Sequence, residues 1–312
     1  MPALRVNLAT DLQSRSEFLV REWNIRVDEV RETHSSLLLF GCCDDQQIVL
    51  KISRRFGDEW QTGRVLRAFD GATMVRSLKY IDGAVLLERI VPGNPLTDLV
   101  VASDDDAATD VLAALMASLN KTPPLDGCAS VKDLAGGFDR YLQSDDTRIP
   151  RSLVIEARDT YRNLCQSQTD CRLLHGDLHH ANVLWDARRG WVAIDPKGVI
   201  GEAEYEIGAV LRNPMEQPEL FASSEIIERR IERFRTKLQL DLDRVRRWAF
   251  AQAVLSTIWE WEDDQLLSVS NSGKMLPDAN HNSSHNLKCL YDLRVVRAPE
   301  VSRIATVEGH CR

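Results

Sequence analysis

Between Leu173 and Pro196 the chain reads LLHGDLHHANVLWDARRGWVAIDP, and its residue types admit two chemistries. His175, His179 and His180 could be the ligands of a hydrolytic zinc ion. Alternatively Asp177 and Asn182, five residues apart, with Asp195 thirteen further on, could carry phosphoryl transfer. That reaction needs one carboxylate to accept or orient a substrate hydroxyl. An amide oxygen and a second carboxylate must hold the magnesium that clamps the phosphates. The hydrolytic pattern H-x-H-x-D-H requires a histidine where Asp177 stands and an aspartate where His179 stands. The order of residues therefore favours phosphoryl transfer, with the histidines as scaffold.

The local structure expected around these residues fits that choice. His, one residue, Asp, four residues and Asn, followed by an Asp on the next hairpin, is the spacing of a kinase catalytic loop. NVLW and WVAID read as two short strands joined by a turn through Arg189-Gly190. Such a hairpin brings Asn182 close to Asp195.

The remaining elements must position this loop. At 312 residues the chain exceeds what one hydrophobic core usually serves, so two lobes around a cleft are expected. WNIRVDEVRE, HSSLLLFGCC and QQIVLKIS are short and rich in Val, Ile and Leu, with Asp44-Asp45 as a hairpin turn between the second and third. DEWQTGRVLRAFDG, from Asp58, begins with acids and ends with glycine, the order of a helix. MVRSLKYIDG and AVLLERI follow as two more strands, joined through Gly83. VPGNPL, with two prolines and a glycine, marks a hinge after residue 91.

Beyond the hinge the pattern is helical. SDDDAATDVLAALMASLN opens with a capping serine and acids, and sets Val111, Leu112, Leu115 and Leu119 on one face. Ile227, Ile231, Phe234 and Leu238 repeat the spacing, and DLDRVRRWAFAQAVLSTIWEWEDD reads as a third helix. The expected organisation is an N-terminal lobe over 1–91, a helical lobe over 92–267 and a polar, mobile tail over 268–312 with one late helix near Leu287 to Val296. The expected fold class is α+β, with a small antiparallel sheet beside a larger, mostly helical lobe.

LLHGDLHHANVL and GWVAIDPKGVIGEAEYEIGAVLRNP resemble the aminoglycoside phosphotransferases, most of all their streptomycin 6-phosphotransferase and hydroxyurea phosphotransferase branch. The resemblance is strongest from Leu173 to Pro214 and extends more loosely from near Ile48 to Asp264. It implies a two-lobed protein-kinase-like fold binding ATP and Mg2+ between a small sheet and a helical lobe. Asp177 is then the catalytic base, Asn182 and Asp195 the magnesium ligands, and His175 a structural member of the loop.

Lys51 sits inside the apolar strand IVLKIS, where a buried ammonium is costly unless it is paired. The resemblance makes it the lysine that contacts the α- and β-phosphates, with Glu59 as its partner. The bland reading, a strand-end lysine whose head reaches solvent, remains open. No G-x-G-x-x-G lies between the first two strands, but loops of the resembling family often lack the full glycine set, and Ser35 and Ser36 could cover phosphates there with backbone N–H groups. Backbone groups of Glu88 and Ile90 are expected at the adenine. Glu206 stands where relatives often carry an Asp that braces the catalytic loop. Lys197 can touch a phosphate, touch the substrate or simply neutralise a local acidic field.

On the acceptor side, WEWEDD places Glu260, Asp263 and Asp264 on one helical face, either a solvated helix end or a surface for a cationic ligand. Trp259 and Trp261 could wall a sugar pocket or belong to the core. A net charge of −8 argues against nucleic acid or an anionic membrane and suits a small cationic substrate. The N-terminus has no apolar core of secretory length and no apolar run approaches a membrane span, so a cytoplasmic protein is expected. Seven scattered cysteines without a C-x-x-C pair give neither a disulfide framework nor a zinc ribbon.

The function expected from these residues is ATP-dependent transfer of the γ-phosphoryl group to a hydroxyl of a small cationic molecule such as streptomycin. Kinases of choline, homoserine, fructosamine or methylthioribose, and a non-catalytic kinase-shaped binding protein, are the alternatives. The acceptor, ATP against GTP, and the oligomeric state are left open by the sequence.

Overall fold

Asp44 and Asp45 both adopt positive φ, 47° and 63°, and so form the tight turn that the right-handed twist of a hairpin demands. They join two strands of a five-stranded antiparallel sheet. A computed structural model describes residues 12–270, apart from 34, 55–56, 70, 215–216 and 218–222. The expected tail helix near Leu287 to Val296 lies outside the described residues.

The first element is a helix, α1 (Leu12–Glu22), which the sequence reading missed. Its polar sequence LQSRSEFLVRE shows little apolar periodicity, and one of its buried residues is an arginine. The Arg15 guanidinium donates to the carbonyls of Ser53 and Gly83 at 2.9 and 3.0 Å and lies over the Trp60 ring. Strands β1 (Arg26–Glu32), β2 (Ser36–Cys43) and β3 (Gln46–Ser53) follow. A 3-10 turn at Asp58–Gln61 leads into α2 (Thr62–Ala68), and then come β4 (Ser77–Ile81) and β5 (Ala84–Glu88). The sheet order is β1-β2-β3-β5-β4. Ile48, Leu50 and Ile52 of β3 are fully buried and pack with Leu19 and Ile25 in a small core of their own.

The proline-rich hinge is itself a strand, β6 (Pro92–Pro95). Helices α3 (Thr97–Val101) and α4 (Asp105–Leu119) come next. The cap of α4 is not the expected serine: the Asp104 carboxylate accepts from the Ala107 N–H, while Ser103 takes a positive φ of 67°. Helices α5 (Gly136–Gln143) and α6 (Arg151–Gln166) precede β7 (Arg172–Leu174). The catalytic-loop stretch then yields β8 (Val183–Asp186) and β9 (Gly190–Ala193), the expected hairpin, followed by β10 (Val199–Gly201).

The chain continues through α7 (Ala203–Leu211), α8 (Ser224–Leu238) and a 29-residue α9 (Leu242–Ser270). Strands β6, β8 and β9 form one sheet, and β7 with β10 another. Helices α6 and α7 pack on α9, and α4 packs on α8, around the large core. Ile227, Ile231 and Phe234 are buried there, as their spacing predicts. The layout is the predicted α+β one, a small antiparallel sheet beside a mostly helical lobe. Among the described residues no helix is long and apolar enough to cross a membrane.

Candidate active site

The segment between β7 and β10 is tied into one piece by short hydrogen bonds. The His175 ring is fully buried, its Nε2 donating to the Ile194 carbonyl at 2.8 Å while Nδ1 accepts from the Asp177 N–H. The His175 carbonyl accepts from the Lys197 and Gly198 N–H groups at 2.8 and 3.1 Å. The Asn182 amide donates to the Asp177 carbonyl at 2.9 Å, and the Asn182 carbonyl accepts from the Ile194 N–H. Asp177, Asn182 and Asp195 are thus gathered by backbone geometry. Gly176, with φ 82°, makes this possible, since a Cβ there would fall 2.9 Å from a methyl of Val199.

The Asp177 carboxylate faces Lys197 Nζ at 3.5 Å. Burial pushes its pKa up, but Lys197, His179 and Arg212 outweigh burial and hold it at about 2. It is therefore an ionised acceptor at neutral pH, ready to take a hydrogen bond from a hydroxyl. Burial drives His175 the other way, down to about 4, so its ring is neutral scaffold.

The histidines do not converge. His179 is turned toward the Ala181 N–H and the Asn182 amide, and His180 is buried near Asp105 and Arg230, its pKa pushed to about 3 mainly by burial. A three-histidine zinc set is not assembled. The residues do suit magnesium, a hard cation that takes few protein ligands and keeps its waters. The Asn182 nitrogen is occupied by the Asp177 carbonyl and the His179 ring, so Oδ1 is the atom of this amide that could ligate a metal, and Asp195 could supply a carboxylate.

On the other side of Asp195, Lys51 bridges Glu59, the partner expected for it, and Asp195, which was expected only as a metal ligand. Its Nζ contacts Asp195 Oδ1 and lies 3.2 Å from Glu59 Oε2, with the lysine side chain only 8% exposed. Burial alone would lower the Lys51 pKa; Asp195 and Glu59 outweigh it and raise it, so the ammonium stays charged. The solvent-reaching alternative for Lys51 is thereby set aside.

A cavity of about 570 Å3 opens beside this pair, lined by Leu38, Val49, Leu184, Ile194 and Asp195 among others. Ser35, Ser36, Glu88 and Ile90 also line it. The Ser36 groups are used differently from expectation. The Ser36 N–H is spent on Thr33 Oγ1, and its hydroxyl donates to Glu59 at 2.6 Å, so Ser36 orients the glutamate. The Glu88 N–H is taken by the Arg76 carbonyl. Ile90 makes no backbone hydrogen bond among the described residues and keeps its donor.

A second cavity, about 260 Å3, lies on the Asp177 side and is lined by Gly176, Lys197, Tyr205, Trp259, Glu262 and Asp263, with Leu134 and Val199. Of the three acids read from the sequence only Asp263 reaches it. Glu260 does not line it, and Asp264 is engaged by Arg148 at 3.1 Å. Glu262, which the reading passed over, does line it and forms a bidentate pair with Arg140. Trp259 is a wall of the cavity, whereas Trp261 packs edge-on against Tyr141.

Glu206 braces the loop from beneath. Its Oε1 accepts from the N–H groups of Gly176 and Leu178 at 2.9 and 3.4 Å, while its buried Oε2 has no partner. Burial is the main cause that pushes its pKa from 4.5 to about 7. A carboxyl raised in the folded state stabilises most below its unfolded pKa, and that stability is lost as pH rises through the folded value. Wild-type stability should fall by roughly 3 kcal/mol between pH 4.5 and 7 on account of Glu206. In Glu206→Gln, which keeps an acceptor for both N–H groups, urea melts should lose that slope. An unchanged slope would show that Glu206 titrates as an ordinary carboxylate.

The chain matches the family model described as aminoglycoside/hydroxyurea antibiotic resistance kinase over residues 22–264. It is 31% identical to streptomycin 6-kinase of Streptomyces griseus over 205 residues, 64% of this chain and 66% of that protein. Over 261 residues, 80% of this chain and 73% of the relative, it is 30% identical to hydroxyurea phosphotransferase of Kitasatospora aureofaciens. Among solved structures it superposes on choline kinase LicA from Streptococcus pneumoniae with a TM-score of 0.62 at 13% identity, covering 91% of this chain and 98% of that one. Aminoglycoside phosphotransferase APH(4)-Ia gives 0.63 at 16% identity, covering 90% and 98%. At such identities these two establish the protein-kinase-like fold.

Proposed function

As a member of the aminoglycoside/hydroxyurea antibiotic resistance kinase family, the chain is a phosphotransferase with an alcohol group as acceptor, and we propose that it transfers the γ-phosphoryl group of ATP to a hydroxyl of a small cationic molecule, streptomycin being the first candidate. The observation that carries this reading is that Asp195, paired with Lys51, lines the larger cavity, while Lys197, which lines the smaller one, lies 3.5 Å from the Asp177 carboxylate. Asp263 lines that same smaller cavity.

In this reading Lys51, held by Glu59, grips the α- and β-phosphates, and the Ile90 N–H with the Glu88 carbonyl meets the base. Asn182 Oδ1 and the Asp195 carboxylate would hold a metal ion, whose charge would neutralise the phosphates. Asp177 orients the acceptor hydroxyl for in-line attack and takes its proton, so positioning and electrostatics do most of the work. A nucleotide is also bound in solved members of the fold: aminoglycoside phosphotransferase APH(4)-Ia is known in a ternary complex with ADP and hygromycin B.

A cationic acceptor is supported by the acids at the mouth of the smaller cavity. Glu262 is half neutralised by Arg140, but Asp263 is exposed and has no salt bridge among the described residues. The test is ADP release from Mg-ATP across streptomycin, other aminoglycosides, hydroxyurea and small polyol or amine acceptors. Streptomycin-dependent turnover that disappears in Asp195→Ala is the expected result. Turnover with a small metabolite alone would replace the acceptor, and ATP binding without transfer to any acceptor would defeat the reading.

A further inference from the structure

Lys197 stands two residues after Asp195 in the chain, yet the fold aims it elsewhere. Its Nζ lies 3.5 Å from Asp177 Oδ2 and 5.4 Å from the centre of the Trp259 ring, inside the smaller cavity. Asp195 is served by Lys51 instead. Each of the two aspartates thus has its own lysine. The backbone under Lys197 is fixed, because its N–H is held by the His175 carbonyl and Gly198 packs against Val65, where a Cβ would come within 2.5 Å. Only the side chain is left to move, and it is 37% exposed toward the cavity.

We propose that Lys197 is a catalytic residue: it rests on Asp177 in the free enzyme and, when the acceptor hydroxyl takes its place there, its ammonium contacts an equatorial oxygen of the transferred phosphoryl group. This rests on the phosphotransferase reading above. In the step itself a bond forms between the acceptor oxygen and the γ-phosphorus, and the bond from phosphorus to the β–γ bridging oxygen breaks. The hydroxyl proton passes to Asp177, and the electron pair leaves with ADP. Charge in that transition state is spread over the three equatorial oxygens. Lys51, and a metal ion held by Asn182 and Asp195, would address it from the nucleotide side. Among the residues lining the acceptor cavity Lys197 is the one cation, and its four-carbon stem lets the charge shift by a rotamer change.

A lysine that only neutralised the field of Asp177, or only bound the acceptor, would behave differently when removed. In Lys197→Met, kcat for streptomycin phosphorylation should fall about 10²–10³-fold with KM for ATP little changed. Lys197→Arg should restore part of the loss, and the melting temperature of both variants should stay near wild type. A second readout is taken with streptomycin bound: affinity for Mg-ADP should be unchanged in Lys197→Met, while affinity for Mg-ADP with aluminium fluoride, a mimic of the transferring group, should fall at least about tenfold. Undiminished kcat, a loss confined to KM for streptomycin, or unaltered aluminium fluoride binding would each overturn the assignment. Wild-type protein that transfers phosphate to no acceptor would instead remove the functional reading on which it stands.

Discussion

Asp177→Asn should yield a folded protein whose turnover has fallen about 10²–10⁴-fold, the usual contribution of a positioned general base. The substitution is nearly isosteric, and the contacts that shape the loop run through the backbone of residue 177, whose N–H meets His175 and whose carbonyl meets the Asn182 amide. These survive. What is lost is the negative charge facing Lys197 and the place where a hydroxyl proton can go. Because the carboxylate pKa is depressed in the folded state, its contribution to stability is present above the unfolded pKa and is lost as pH falls toward 2. At neutral pH the variant should therefore be only modestly less stable, by about 1–2 kcal/mol after allowing for the partial exposure of the group. Kinetics on protein verified as folded by its thermal melt decides the matter. Turnover within tenfold of wild type would take the base role away from Asp177.

How far such a site could be read in advance depended on how local its geometry is. Asp177, Asn182 and Asp195 lie within 19 residues, and a loop followed by a hairpin is enough to gather them, so spacing alone carried the information. Lys51 was legible for another reason: an ammonium in an apolar strand must be paired, and the family resemblance pointed to Glu59 on the next helical segment as its partner. The acceptor side was not legible in this way. Helical spacing correctly set Glu260, Asp263 and Asp264 near one another, but which of them meets the cavity depends on how α9 is rotated against α6 and α7. That rotation, and the capture of Glu262 and Asp264 by Arg140 and Arg148 from distant segments, is fixed by packing over more than a hundred residues of sequence. The polar helix α1 failed for a related reason, since the partners of Arg15 are backbone carbonyls of Ser53 and Gly83.

The acids at the start of α4 show the same limit with a larger energetic consequence. Read locally, Asp105 and Asp106 are first-turn acids favoured by the helix dipole, worth a few tenths of a kcal/mol to about 1 kcal/mol. In the fold they face α8. Arg230, with no exposed side-chain surface, gives two hydrogen bonds from Nε and Nη2 to Asp105, at 3.0 and 2.5 Å, and two from Nη1 to the carbonyls of Val210 and Asn213 at the end of α7. Arg229 and Arg233 extend the ladder to Asp106 and Asp110. Removing one partner of a buried pair leaves an uncompensated charge, at a cost of about 3–5 kcal/mol. Asp105→Ala should therefore lose about that much stability in urea unfolding, more than any cap could supply. Replacing both partners, as in Asp105→Ala with Arg230→Met, removes the stranded guanidinium and should recover a substantial part of the loss. A single variant within 1 kcal/mol of wild type would show that Arg229 and the two carbonyls satisfy Arg230 and its surroundings without Asp105. A double variant as unstable as the single would locate the cost in packing and not in charge. The recovery is the more informative result, because α7 also carries Glu206: the guanidinium that closes the end of this helix secures the support on which the Asp177 loop rests.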